Sequence, residues 1–117
     1  MSAGQLDLTI EQGADWSIGI LVTRAGVALP LTGYSARMQI RAKVTSTDVL
    51  LALTSGVGGG IDVGGSPTNR LVVHVHNSAL TAATWRKARY DLELIDAGGE
   101  VVRLLEGAVV LSPEVTR

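Results

Sequence analysis

Apolar and polar residues alternate along most of this chain with a period of two. The clearest case lies between Leu31 and Thr54. After a turn at Leu31-Thr32-Gly33, Tyr34, Ala36, Met38 and Ile40 fall on one face, while Ser35, Arg37, Gln39 and Arg41 fall on the other. That alternation marks a strand with one buried and one wet face. A polar connection over residues 42–48 leads to a second apolar run, Val49 to Leu53. Upstream, Leu6, Leu8 and Ile10 alternate with Asp7, Thr9 and Glu11, and Gln12-Gly13 breaks the run. Trp16, Ile18, Ile20 and Val22 then share a face, and Arg24-Ala25-Gly26 is a turn. Pro30 cannot donate to a ladder and belongs at a strand start or edge.

Six glycines crowd residues 56–65, with Ile61-Asp62-Val63 as a short strand between them. Leu71, Val73 and Val75 line the next strand, and its other face shows Val72, His74 and His76. Residues 78–85, SALTAATW, are the one stretch with helical character: Asn77 or Ser78 can cap it, and Leu80, Ala83 and Trp85 can point inward. Tyr90, Leu92 and Leu94 define a strand over 89–96, and Ala97-Gly98-Gly99 is a strong hairpin signal. The return strand is apolar on both faces: Val102, Leu104, Ala108 and Val110 against Val101, Leu105, Val109 and Leu111. A strand covered on both sides, one cover being a partner subunit, accounts for that. Seven or eight short strands with evenly spaced turns predict one domain over residues 1–117. Its expected fold is an all-β antiparallel sandwich, immunoglobulin-like in outline, with one short helical turn.

Composition narrows the function. A chain of 117 residues is long enough to bury a core unaided. Two Trp, two Tyr and no Phe are few rings for a sugar or single-stranded nucleic-acid platform. A net charge of -1 with scattered basic residues argues against a phosphate-backbone binder. The absence of Cys excludes disulfides, thiolate catalysis and Cys-ligated zinc. No stretch approaches the ~20 apolar residues of a membrane span, and the first residues lack the basic-then-apolar pattern of a signal peptide.

Candidate chemistry is sparse. His74 and His76 sit on one strand face about 7 Å apart, and can ligate zinc only with a third ligand. The Gly56–Gly60 run lacks the Lys-Ser/Thr ending and the following helix of a nucleotide loop. Ser78 has no nucleophile elbow and reads as a cap. The pairs Asp91/Glu93 and Asp96/Glu100 have the spacing of a solvated face or a hairpin, against the alternative of a glycosidase pair. No enzyme activity, metal or cofactor is expected. The stripe Arg37, Gln39, Arg41 guards an edge strand or forms a protein contact.

Several segments carry a family likeness: LTIEQGADWSIGILV from Leu8, LPLTGYSARMQIR from Leu29, LLALTS from Leu50, the Gly59-Gly60-Ile61 turn, and the segment running from Thr81 to Arg117. Together they resemble small proteins encoded among the tail genes of tailed phages and prophages. The first half is similar to the opening domain of phage baseplate upper proteins, although no helical linker or receptor-binding pattern follows it in these residues. The resemblance implies a virion structural component, assembled in the bacterial cytoplasm, that acts as a tail or baseplate adaptor through protein contact. Its expected partners are other tail or baseplate proteins and further copies of itself, with no nucleic acid and no membrane. The expected contact residues are Arg37, Gln39, Arg41, Val102, Leu104 and Val110. A head decoration or cement protein is the alternative, and a carbohydrate-binding module at a tail tip is another.

Overall fold

The computed structural model describes residues 3–115. Eleven strands form in chain order: β1 (Gly4–Gln5), β2 (Leu8–Glu11), β3 (Trp16–Leu21), β4 (Thr23–Arg24), β5 (Val27–Ala28), β6 (Ser35–Arg41), β7 (Leu51–Thr54), β8 (Ile61–Val63), β9 (Arg70–Val75), β10 (Lys87–Ile95) and β11 (Val101–Ser112). One sheet has the order β1-β11-β10-β6-β7, with β2 also paired to β11. The second has the order β3-β9-β8, and β4-β5 is a small separate hairpin. Neighbouring strands are antiparallel except where β1 and β2 join β11 in parallel.

The alternation read from sequence is the alternation of burial. Ala36, Met38 and Ile40 on β6, and Ala88, Tyr90, Leu92 and Leu94 on β10, are buried. They meet Leu71, Val73 and Val75 of β9 in a single apolar cluster between the two sheets. The fold is an all-β sandwich. In immunoglobulin terms β3, β9 and β8 stand as strands B, E and D, and β11, β10, β6 and β7 as G, F, C and C′. The first strand does not lie beside B. It runs along G, so β3 is left as the end of its sheet.

Three devices hold the ends and corners. The Gln12 amide donates to the carbonyls of Leu80 (2.8 Å), Ala83 (3.0 Å) and Thr81 (3.3 Å), and its oxygen accepts from the Glu114 amide. Asn69, buried at the start of β9, donates to the Val22 carbonyl at 3.0 Å, while Val22 donates its own amide to Asn69. In the β10–β11 hairpin the Asp96 carboxylate accepts from the amides of Gly98 and Glu100, both at 2.9 Å.

No helix forms over residues 78–85: the chain makes successive turns closed by the Ala79→His76 and Ala83→Leu80 backbone bonds and runs on without regular structure to Trp85. Leu80 is buried, and Ala83 and Trp85 pack half-buried on the core, as the pattern predicts. The stripe Arg37, Gln39, Arg41 does not guard an edge, because β6 lies between β10 and β7. The two-faced apolarity of β11 also has a cause within the chain. Leu92 pairs with Leu105 but Glu93 pairs with Arg103, so Leu104 is an extra, bulged residue. The bulge switches parity: Val102, Leu104, Leu105, Val109 and Leu111 face inward, while Arg103, Glu106 and Val110 face outward.

Candidate functional site

The outer face of the large sheet carries a dense set of charges, and strand register places them in rungs. Thr54, Arg37, Glu93 and Arg103 lie side by side across β7, β6, β10 and β11. The next rung is Ala52, Gln39, Asp91 and Glu106, extended by Gln5 of β1. The third is Arg41, Arg89 and Ala108. An acidic row is therefore bracketed by two arginine-bearing rows, around a shallow concavity of about 270 Å³.

Contacts within the ladder fix several of these side chains. The Arg37 guanidinium donates to Glu93 at 2.7 Å. Arg103 lies 3.6 Å from both Asp91 and Glu106. Gln5 donates to Glu106 at 3.2 Å. Arg41 is committed to structure: it donates to the carbonyls of Ser46 (2.7 Å) and Thr47 (3.1 Å) and to the Gln39 side-chain oxygen (2.9 Å), which ties the 42–50 connection to β6. Partial burial pushes the Asp91 carboxyl above its ordinary value, Glu93 and Glu106 push the same way, and Arg103 and Arg37 only partly offset them.

Of the six contact residues expected from sequence, Arg37, Gln39, Arg41 and Val110 share this outer face. Val102 and Leu104 do not. They lie on the inner side against Val22, Leu29, Tyr34 and Leu94. Sequence reasoning missed Asp91, Glu93, Arg103 and Glu106 as members of the same face, because only register brings β6, β10 and β11 together. Their alternation with inward Tyr90, Leu92 and Leu94 was the available signal.

The remaining candidates are arranged differently. His74 and His76 line an open concavity of about 730 Å³ together with Asp62 and the Gly56–Gly60 loop. The His76 Nδ1 is occupied by the Ser78 hydroxyl at 2.8 Å and the Ser78 amide at 3.2 Å, a local turn. Among the described residues no group of three or more His, Asp or Glu is placed to hold a metal ion, and no hydrogen bond orients the His76 Nε2. The Gly-rich loop closes on itself through Gly59→Gly56 and Thr54→Gly59 amide bonds. Trp16, Tyr34 and Trp85 are half-buried and Tyr90 is buried, so no pair of rings lies open for stacking on a sugar.

No protein-family model matches this chain, and no curated protein matches it.

Proposed function

We propose that this chain is a non-catalytic structural component of a tailed-phage or prophage particle, working as a tail or baseplate adaptor by protein–protein contact. The observation that carries the contact reading is the charged ladder on the outer face of the large sheet. Rows of opposite sign at fixed spacing favour one docking register and penalise others, which is how interfacial charge contributes specificity. Arg37 and Arg103 are each about half exposed, so they are available to a partner while already aligned by Glu93, Asp91 and Glu106. The phage assignment rests on the sequence resemblance of residues 8–22, 29–41, 50–55, 59–61 and 81–117 to small tail-gene proteins, and the all-β sandwich is compatible with it.

The test is mass spectrometry of heads and tails separated from purified particles. Finding the chain with tails supports the adaptor reading. Finding it with heads moves it to the decoration or cement class. Absence from both sinks the structural reading. A charge reversal, Arg37→Glu with Arg103→Glu, is expected to release the chain from the particle fraction that holds it.

A further inference from the structure

The unpaired edge of β3 points to a second copy of this chain as its partner: we propose that two copies pair their β3 strands antiparallel across a two-fold axis at Gly19, joining two three-stranded sheets into one six-stranded sheet. This inference does not depend on where the protein works.

Hydrogen-bond parity defines the edge. On β9, Arg70 bonds Gly64 and His74 bonds Gly60, so Arg70, Val72 and His74 direct their backbone groups toward β8. Asn69 instead exchanges bonds with Val22. It follows that Val22, Ile20, Ile18 and Trp16 direct theirs toward β9, and Ser17, Gly19 and Leu21 direct theirs away from the sheet. Among the described residues β3 pairs with β9 alone. Three N–H and three C=O groups therefore form an open template.

The other sheet ends are shorter or occupied. β7 has four residues, and its Thr54 amide is taken by Gly59. β8 has three, including Asp62. The β1/β2 edge is broken at Leu6 and Asp7, where the Leu6 carbonyl accepts from Tyr90 and the Asp7 carboxylate accepts from Ala108. β3 runs six residues, Trp-Ser-Ile-Gly-Ile-Leu, with no charge, proline or bulge to deter pairing.

Several observations favour a second copy over a foreign strand. The strand is uncharged, so two copies meet without repulsion. The flanks are opposite in sign and exposed: Asp15 precedes β3 and Arg24 follows it. Antiparallel pairing about Gly19 sets Ser17 against the partner's Leu21, and carries Asp15 to the end where the partner's Arg24 lies. A Cβ built at Gly19 would meet nothing within 4 Å, so the position accepts a side chain on the outer face without disturbing the strand. Leu21 is 63% exposed and gains cover from the pairing.

Three engineered chains and light scattering decide the matter. The wild-type chain is expected at about twice its 12.2 kDa. Gly19→Pro removes an edge N–H and no β9 bond, and is expected to halve that mass while keeping the far-UV spectrum. Because the chain has no native cysteine, Gly19→Cys reports proximity directly: facing Cα atoms in a bonded antiparallel pair lie about 5.5 Å apart, within disulfide reach. Oxidation should link Gly19→Cys far faster than Ala52→Cys on β7. A monomeric wild type at high concentration, a Gly19→Pro chain that stays folded and dimeric, or equal cross-linking at both positions would each overturn the proposal. If Gly19→Pro unfolds, the cysteine comparison alone decides.

Discussion

The Tyr90 hydroxyl donates to the carbonyl of Leu6 at 2.7 Å, bridging residues 84 positions apart. It does so where the first strand breaks between β1 and β2. The same break is gripped from β11, where the Ala108 amide donates to the Asp7 carboxylate at 3.0 Å. Gly107 fits beneath it because a Cβ there would run into the Leu6 carbonyl. Burial first, and the nearby Asp7 charge second, push the Tyr90 hydroxyl up to about 12.

That shift has a sign. A raised phenol favours the neutral form in the folded state, so its stabilisation is complete below the ordinary tyrosine value near 10 and is lost as pH rises toward about 12. Unfolding titrations are expected to show stability falling from about pH 10 to about 12. Tyr90→Phe should flatten that fall and cost about 1 kcal/mol at neutral pH, the worth of one hydrogen bond. Ultraviolet difference titration should lose its late tyrosinate phase in the same variant.

Gln12 gathers three carbonyls of the 78–85 turns and one amide near the C-terminal end. Gln12→Ala leaves those carbonyls without their shared donor. The expected cost is about 1–3 kcal/mol in chemical denaturation, with faster amide exchange concentrated at Ala79 and Ala83.

Asp91 works against the fold at neutral pH. Its raised carboxyl means the folded chain holds that proton more tightly than the unfolded one, so this stabilisation exists at low pH and vanishes as pH rises through the folded value. Asp91→Asn is therefore expected to stabilise the fold at pH 7, by up to about 0.5 kcal/mol for a group so largely screened by solvent, and to lose its advantage in acid.

The bulge at Leu104 makes a contrast that simple alternation does not. In an unbroken strand Leu104 and Val110 would share a face. Here Leu104 faces the core and Val110 is 39% exposed on the outer side. Leu104→Ala should cost about 2 kcal/mol, at the low end for core truncations, and Val110→Ala less than about 0.5 kcal/mol. Equal costs would refute the parity switch.

Much of the fold was legible before any coordinates. The inward sets Ala36/Met38/Ile40, Leu71/Val73/Val75 and Tyr90/Leu92/Leu94 follow from period two alone, and the Asp96–Glu100 turn from its glycines. What escaped depends on distant partners. Nothing local to β11 distinguishes a bulge from a strand covered on both faces, and nothing near Arg37 reveals that Glu93 and Arg103 complete its rung. Gln12 reads as a strand terminator, yet its amide reaches residues 68 to 71 positions away. The ladder was half visible for the same reason: alternation names which residues face outward, but register decides which of them meet.

The parallel pairing of Leu8–Glu11 with Val109–Ser112 also sets an order of events. The paired residues Leu8 and Val109 stand 101 positions apart (109 − 8). The large sheet cannot close until both segments are present, and Leu8 and Ile10 of β2 stay uncovered along that edge until β11 is in place. Long-range closure of this kind is slow. Folding chains therefore pass through an interval in which the local β10–β11 hairpin can form while β2 is still unplaced.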